Sequence, residues 1–422
     1  NKMNVLIIHH HLKPGGVTRI IESQLKALGL QDEKNDVSLA IGLEPDGFEA
    51  AGSRIYICEE LDYLVQPFDP DKVLEKLQAF FSRFPKDVIF HFHNLNLGKN
   101  PVVTYAIYLE ARNGRRVLNH CHDFAKDRPE NYKLLKEIIE DHFGDRLQNV
   151  LYPDLENYRF STINRADYKR LLSFKIKPER IDLLENPVAI PHIDPVPAQA
   201  IERVRSDFGT DGKKLAVYPV RGIRRKNMGE FILLSVLFAQ EAEWVTTLPP
   251  KNPVERVEYD LWAEFCYKNS IRTHFGAGEK YSFPEIMQSA DFCVTTSIRE
   301  GFGMAFLEPW LFEKPVVGRY LPQVCSDFAS YGIDFPVLYD KLNTPDGSDF
   351  ADWEVDDKME FILKIKTDEA AREEFLSANP QLRKMVAEVP ESTIKNNIRR
   401  IKDNYSLESY GDKLNEIYKK FP

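Results

Sequence analysis

Phe292-Cys293-Val294-Thr295-Thr296-Ser297-Ile298-Arg299-Glu300-Gly301-Phe302-Gly303-Met304-Ala305-Phe306-Leu307-Glu308 holds the transition that decides the fold. A short run of apolar and β-branched residues, Phe292–Thr296, passes through a glycine-containing polar turn into a helical pattern over Met304–Phe312. A strand with no polar alternation is covered on both faces, which is the habit of parallel sheets. Working outward, the same grammar recurs on both sides. Toward the C-terminus comes the strand pattern Pro315–Gly318. Toward the N-terminus lie the helix Phe283–Ala290, the strand Ile271–Gly276, the helix Asn252–Lys268, the strand Trp244–Thr247, the helix Met228–Gln240 and the strand Lys214–Val220. Strand and helix in strict alternation define a doubly wound α/β domain.

Upstream, Asn186–Pro197 has four prolines, which can continue neither a helix nor a central strand, and it reads as a linker. Before it the alternation runs again, with strands at Val5–His9, Val37–Gly42, Val88–His93, Val117–His122 and Phe160–Ile163. The intervening helical patterns are Val17–Leu28, Asp71–Phe84, Pro101–Asn113 and Glu130–His142. The expected organisation is an N-terminal Rossmann-like domain over 1–190, a second over 191–405, and a terminal helix over 406–422. Open sheets of this kind take ligands beyond the carboxyl ends of their strands, so the residues just after each strand are the candidates for chemistry.

Composition narrows the class. The chain has 422 residues, enough for two cores without disulfides or metals. Lys+Arg 56 against Asp+Glu 65 gives −9, which disfavours a nucleic-acid binder. Five scattered cysteines (Cys58, Cys121, Cys266, Cys293, Cys325) without C-x-x-C read as core fillers of a cytoplasmic protein. Apolar stretches are too short to cross a bilayer, and Asn1-Lys2-Met3 before Val5–Ile8 reads as the approach to a first strand, not a leader.

Three strand ends stand out. Around Glu300-Gly301-Phe302-Gly303-Met304, the glycines allow close approach of backbone to a ligand, and exposed amides there suit an anion. Glu300 and Glu308, with seven residues between them, are carboxylates able to accept hydrogen bonds from sugar hydroxyls. Arg221-Gly222-Ile223-Arg224-Arg225-Lys226 places four cations after the Lys214–Val220 strand, a pattern suited to a polyphosphate. Gly15-Gly16 after the first strand opens a helix, but is not G-x-G-x-x-G. His91/His93 and His120/His122 are each spaced i, i+2, so each pair shares one strand face. Hydrogen-bonding histidines fit this pattern better than a zinc site. Asp69-Pro70-Asp71 imitates a metal-binding D-x-D, but Asp69 suits a helix N-cap and Pro70 the first helical position.

Taken in order, Gly15-Gly16-Val17, His122-Asp123, Asn186, Arg221…Lys226, Ser297…Glu300-Gly301-Phe302-Gly303-Met304…Glu308 and Glu313-Lys314-Pro315-Val316-Val317 resemble the retaining glycosyltransferases of family 4. The resemblance implies a GT-B fold, two facing Rossmann-like doubly wound parallel-sheet domains with a C-terminal helix returning to the first. It also implies roles. Arg221 and Lys226 would hold the donor diphosphate and Glu308 the ribose hydroxyls. Glu300, with Gly301 and the amides of Phe302, Gly303 and Met304, would hold the transferred sugar. Gly15, Gly16 and Asn186 would approach the donor from the first domain, and His122 would line the sugar pocket. Partners would be a UDP-, GDP- or ADP-linked sugar and a carbohydrate or sugar-acid acceptor, with no cofactor and no metal. Peripheral membrane contact is compatible with this reading. Nucleotide-sugar epimerases and phosphate-dependent disaccharide phosphorylases share the fold and form the alternative.

Three departures accompany the resemblance. Pro309-Trp310 follows Glu308, so a kink or a later helix start is expected. Gly318-Arg319-Tyr320-Leu321-Pro322-Gln323 replaces the family's Gly-Gly loop, and residues 326–357 fit no common pattern.

Overall fold

The computed structural model describes residues 2–31 and 35–422, and the chain divides into two units. The first comprises Asn1–Ala189 together with Tyr405–Pro422, and the second Ile190–Asn404.

The first unit is built on β1 (Asn4–Ile8), β2 (Asp36–Ile41), β3 (Arg54–Ile57), β4 (Ile89–His93), β5 (Val117–Cys121), β6 (Tyr158–Thr162) and β7 (Ile181–Leu183). All pair in parallel, in the order β3-β2-β1-β4-β5-β6-β7. Every residue of β4, β5 and β6 is buried, polar side chains such as His91, His120 and Arg159 included, because the sheet is covered on both faces. Separate apolar clusters cover the two faces, one around Phe81, Phe90, Phe92 and Phe160, the other around Ile7, Ile21, Leu25 and Tyr418. Asp69 accepts hydrogen bonds from the Asp71 and Lys72 amides with Pro70 at the helix start, so this motif is a cap.

The final helix, Leu407–Lys419, lies against the helix Gly16–Gly29. A Cβ at Gly411 would meet the Ala27 carbonyl oxygen at 2.7 Å, so only glycine permits this approach. Gln24 donates to the Tyr410 hydroxyl at 2.9 Å, tying the two helices together under the sheet.

The second unit contains β8 (Lys214–Arg221), β9 (Ala242–Leu248), β10 (Thr273–His274), β11 (Phe292–Thr295), β12 (Val316–Arg319) and β13 (Leu338–Tyr339), ordered β10-β9-β8-β11-β12-β13 and again parallel. The strand order turns back between β1 and β4 in one sheet and between β8 and β11 in the other. At such a reversal the connections leave in opposite directions and open a crevice at the carboxyl ends. Residues after β8 and β11, and those after β1 and β4, are therefore the ones the topology sets aside for ligands.

Arg319 and the stretch after it form a structural device. Arg319 is buried and its guanidinium pairs with Glu230 at 2.7 Å and Asp349 at 2.9 Å, while the Tyr339 hydroxyl donates to Glu230 at 2.8 Å. The tract 326–357 thus supplies Asp349 to neutralise a cation on an interior strand. Arg319→Met is expected to lower unfolding stability by about 3–5 kcal/mol, because Glu230, wholly buried, would lose its counter-charge. Urea denaturation checks this, and an unchanged midpoint would show that the triad contributes nothing. All five cysteines are buried and unpaired.

Candidate active site

The short 3-10 turn Arg224–Lys226 follows β8, and Asn227, left-handed at φ 56°, redirects the chain into the helix Met228–Leu237. This turn is stitched to the end of β11. The hydroxyls of Tyr218 and Thr296 donate to the Lys226 carbonyl at 3.0 and 2.9 Å, and the Ile298 amide donates to the Arg225 carbonyl at 3.0 Å. The result brings two sequence-distant motifs together. The Lys226 ammonium is paired with Glu300 Oε1, and Arg225 Nη1 lies 2.6 Å from Glu300 Oε2. Ser297 Oγ is 2.8 Å from Glu300 Oε1. Burial lowers Lys226 from the ordinary lysine range. Burial also raises Glu300, but the charges of Lys226 and Arg225 outweigh it and hold the carboxyl below its usual value.

Arg225 is the cation that sequence reading left out of the candidate set. The signal was its place in the cluster, but nothing in a linear sequence says which of four neighbouring cations turns inward. Arg221, at the end of β8, donates instead to the Pro249 carbonyl at 3.0 Å.

Gly303, at φ 96°, begins the 3-10 turn Met304–Phe306, and a Cβ there would press on Val324, Phe306 and Phe328 at 3.2–3.3 Å. The Phe302 ring is buried edge-on against Phe328, anchoring the loop while Gly301 beside it stays exposed. The helix that was expected from Met304 begins at Glu308 and is only Glu308–Leu311, because Pro309 is tolerated in a first turn and not in a helix interior. Glu308, at that helix start, is half-buried.

In the first unit, Gly15 is extended at φ 172° and Gly16 opens the helix after β1, where a Cβ would meet nothing within 4 Å. His122 is half-buried just past β5, and Asn94 clamps its turn by accepting from the amides of His122 and Asp123 at 3.0 and 2.9 Å. Enclosure pulls the His122 imidazole down to about 4. Asn186 is buried, and its side-chain oxygen has no hydrogen-bond partner, an arrangement that a ligand donor would complete.

Among the described residues, one group of three ligating side chains comes together, His91, His93 and His120, with ligating atoms within 4.8 Å of one another. Their rings are nearly parallel and their nitrogens contact each other, Gln24 and Tyr418. They form a hydrogen-bonded chain on the strand face that their i, i+2 spacing shares.

Two parallel Rossmann-like sheets with these strand orders make up the GT-B fold, the architecture of glycosyltransferases with which the chain aligns. No family model matches the chain. It is similar to the mannosylglucosyl-3-phosphoglycerate synthase of Petrotoga mobilis, 27% identical over 351 residues, covering 77% of this chain and 66% of that protein, just under two thirds of its length. It is also similar to the mannosylglucosylglycerate synthase of Thermotoga maritima, 24% identical over 427 residues, covering 91% of this chain and 90% of that protein. Among solved structures, the Anabaena Alr3699/HepE in complex with UDP and glucose superimposes with a TM-score of 0.61 at 12% identity, covering 98% of each chain. No helix among the described residues is long and apolar enough to cross a membrane.

Proposed function

We propose that this chain is a glycosyltransferase that moves a hexosyl unit from a nucleotide-diphosphate sugar to a small sugar-acid acceptor, with retention of anomeric configuration and without a metal. The observation that carries the reading is the assembly of Lys226, Arg225 and Glu300 at the reversal between β8 and β11. Such a site has fixed cations where a diphosphate would leave and a carboxylate for sugar hydroxyls. The names of the two similar synthases, both makers of mannosylglucosyl-glycerate compounds, support a glycoside of glycerate or phosphoglycerate as acceptor and a mannosyl donor as the first to try.

In this reaction the bond between C1 and the diphosphate oxygen breaks while the acceptor oxygen bonds to C1 on the same face. The acceptor's hydroxyl proton passes to the departing diphosphate oxygen. Negative charge grows on that diphosphate, and preorganised cations stabilise it as it forms. Lys226 and Arg221 take that role, with Arg225 beside them. Glu300 and the turn Gly301–Met304 bind hydroxyls of the transferred sugar, and Glu308 the ribose. Gly15, Gly16, Asn186 and His122, all of the first unit, are the remaining positions that the resemblance assigns to donor and sugar. Glu300 pairs with Lys226, so a donor diphosphate at this ammonium would share it with that carboxylate. No observation favours the epimerase or phosphorylase alternative.

The test is thermal-shift screening against UDP-, GDP- and ADP-linked hexoses, followed by product analysis with glucosylglycerate and glucosyl-3-phosphoglycerate as acceptors. A ligand bound only by the native state raises the melting point. At a hundred times its dissociation constant the donor contributes about 2.7 kcal/mol. A chain that responds to no nucleotide sugar would refute the reading.

A further inference from the structure

Four histidines at the carboxyl ends of β4 and β5 form a nearly parallel stack. Neighbouring rings are 4.5–5.2 Å apart and tilted by 8–26°. The backbone register sets His93 beside His120. His91, His93 and His120 are wholly buried, and burial holds all three well below the ordinary histidine value, so each ring carries one proton. A neutral imidazole offers one donor and one acceptor. In a chain of nitrogen-to-nitrogen contacts, each assignment therefore dictates the next.

Gln24, fully buried on the helix Gly16–Gly29, breaks the symmetry. Its Oε1 lies 2.9 Å from His93 Nε2, and its Nε2 lies 2.9 Å from the Tyr410 hydroxyl and 3.4 Å from His120 Nδ1. An amide oxygen only accepts, so His93 Nε2 carries the proton and His93 Nδ1 is bare. His122 Nε2, 2.9 Å from His93 Nδ1, must then donate, which leaves His122 Nδ1 as that ring's lone pair. On the other branch the amide nitrogen only donates, so His120 Nδ1 is bare. It accepts from His91 Nε2 at 2.9 Å, and His91 Nδ1 accepts from the Tyr418 hydroxyl at 2.7 Å. Turning the amide over would reverse every one of these donors. His120 Nε2, buried without a partner, is protonated in the first polarity and bare in the second.

We propose that Gln24, acting through His93, holds His122 in its Nε2–H tautomer, so that His122 offers a lone pair at Nδ1 to a donor hydroxyl of the transferred sugar. The sugar contact rests on the proposed glycosyltransferase function; the tautomer does not. Gln24 and His93 are positioning residues, since they act through His122. A fixed tautomer matters because it sets the direction of the bond: a lone pair at Nδ1 requires the sugar hydroxyl to donate, and the opposite tautomer would require it to accept.

The full chain labelled with nitrogen-15 histidine tests this by long-range proton–nitrogen correlation spectra at pH 7.5, with His122 assigned by its loss in His122→Asn. The expected wild-type result is a single Nε2–H pattern for His122. In Gln24→Leu, folded by circular dichroism, the pattern should become a mixture of tautomers. Transfer by this variant should fall at least about tenfold in kcat while the donor KM stays within about twofold. A wild-type His122 found as Nδ1–H, as a mixture or as imidazolium overturns the proposal, as does a His122 pattern untouched by Gln24→Leu. Stoichiometric zinc in the purified protein would also overturn it. Because the tautomer is read from spectra without any activity assay, failure of the functional reading and failure of the tautomer assignment are told apart.

Discussion

Lys226→Ala is expected to lose transfer activity by about a thousandfold in kcat/KM, most of it in kcat. One preorganised group facing charge that develops in the transition state is worth about 10²–10³ in rate, and Lys226 is a full cation that is largely shielded from water. The variant also carries a stability cost. Removing the ammonium takes one partner from Glu300, leaving Arg225 and Ser297, so a loss of about 1–3 kcal/mol is expected. Steady-state kinetics at saturating donor, alongside urea denaturation, separate the two effects. Arg221→Ala should also impair transfer, by about tenfold to a hundredfold. Part of that loss belongs to the loop that Arg221 holds through the Pro249 carbonyl. Near-normal turnover in Lys226→Ala would remove the mechanism.

Acid should open the first unit before the second. His9, His10, His91, His93 and His120 are buried, and burial depresses each of them, His10 to about 4 and His91 to about 3. An unfolded chain takes up protons at these positions near the ordinary value of about 6.5. The folded values are lower, so the stabilisation is fully present above about pH 6.5 and is lost as pH falls toward the folded values. Each such group contributes a slope of about 1.4 kcal/mol per pH unit, up to about 7 kcal/mol per pH unit for the five together. A domain of ordinary stability, about 5–15 kcal/mol, should therefore unfold within roughly two pH units of 6.5. The four tryptophans (Trp244, Trp262, Trp310, Trp353) all belong to the second unit, so their fluorescence reports it separately from the far-ultraviolet circular dichroism of the whole chain. The expected record is a loss of dichroism near pH 5 that precedes the fluorescence change. Dichroism unchanged down to pH 4 would show that the histidines are not held neutral.

The central strands were legible because a strand covered on both faces lacks regular polar alternation, and β1, β4, β5, β8, β11 and β12 are apolar at most positions. Of the four edge strands, β10 fell within the expected Ile271–Gly276, whereas β3, β7 and β13 were missed, each being only two to four residues long with a neighbour on one side only. Pro309 announced the late helix start correctly, since its cost is local to the chain. The tract 326–357 made no sense in one dimension, because Asp349 is there to meet Arg319, which itself answers Glu230 from 89 positions away.

The amino-acid sequence by itself determined the α/β class, the alternation that yields two parallel sheets, and the strand ends where chemistry would gather. These follow from periodicity, proline and glycine stereochemistry, and the clustering of charge, all of which act between near neighbours. Only the tertiary structure decided that Arg225 joins Lys226 on Glu300, that Arg319 is a core ion and not a loop residue, and that Gln24 and Tyr418 meet the histidine stack. Those pairings depend on which side chains the sheet order and the final helix bring within hydrogen-bond distance, and residues dozens to hundreds of positions apart carry no mark of it until the chain is folded.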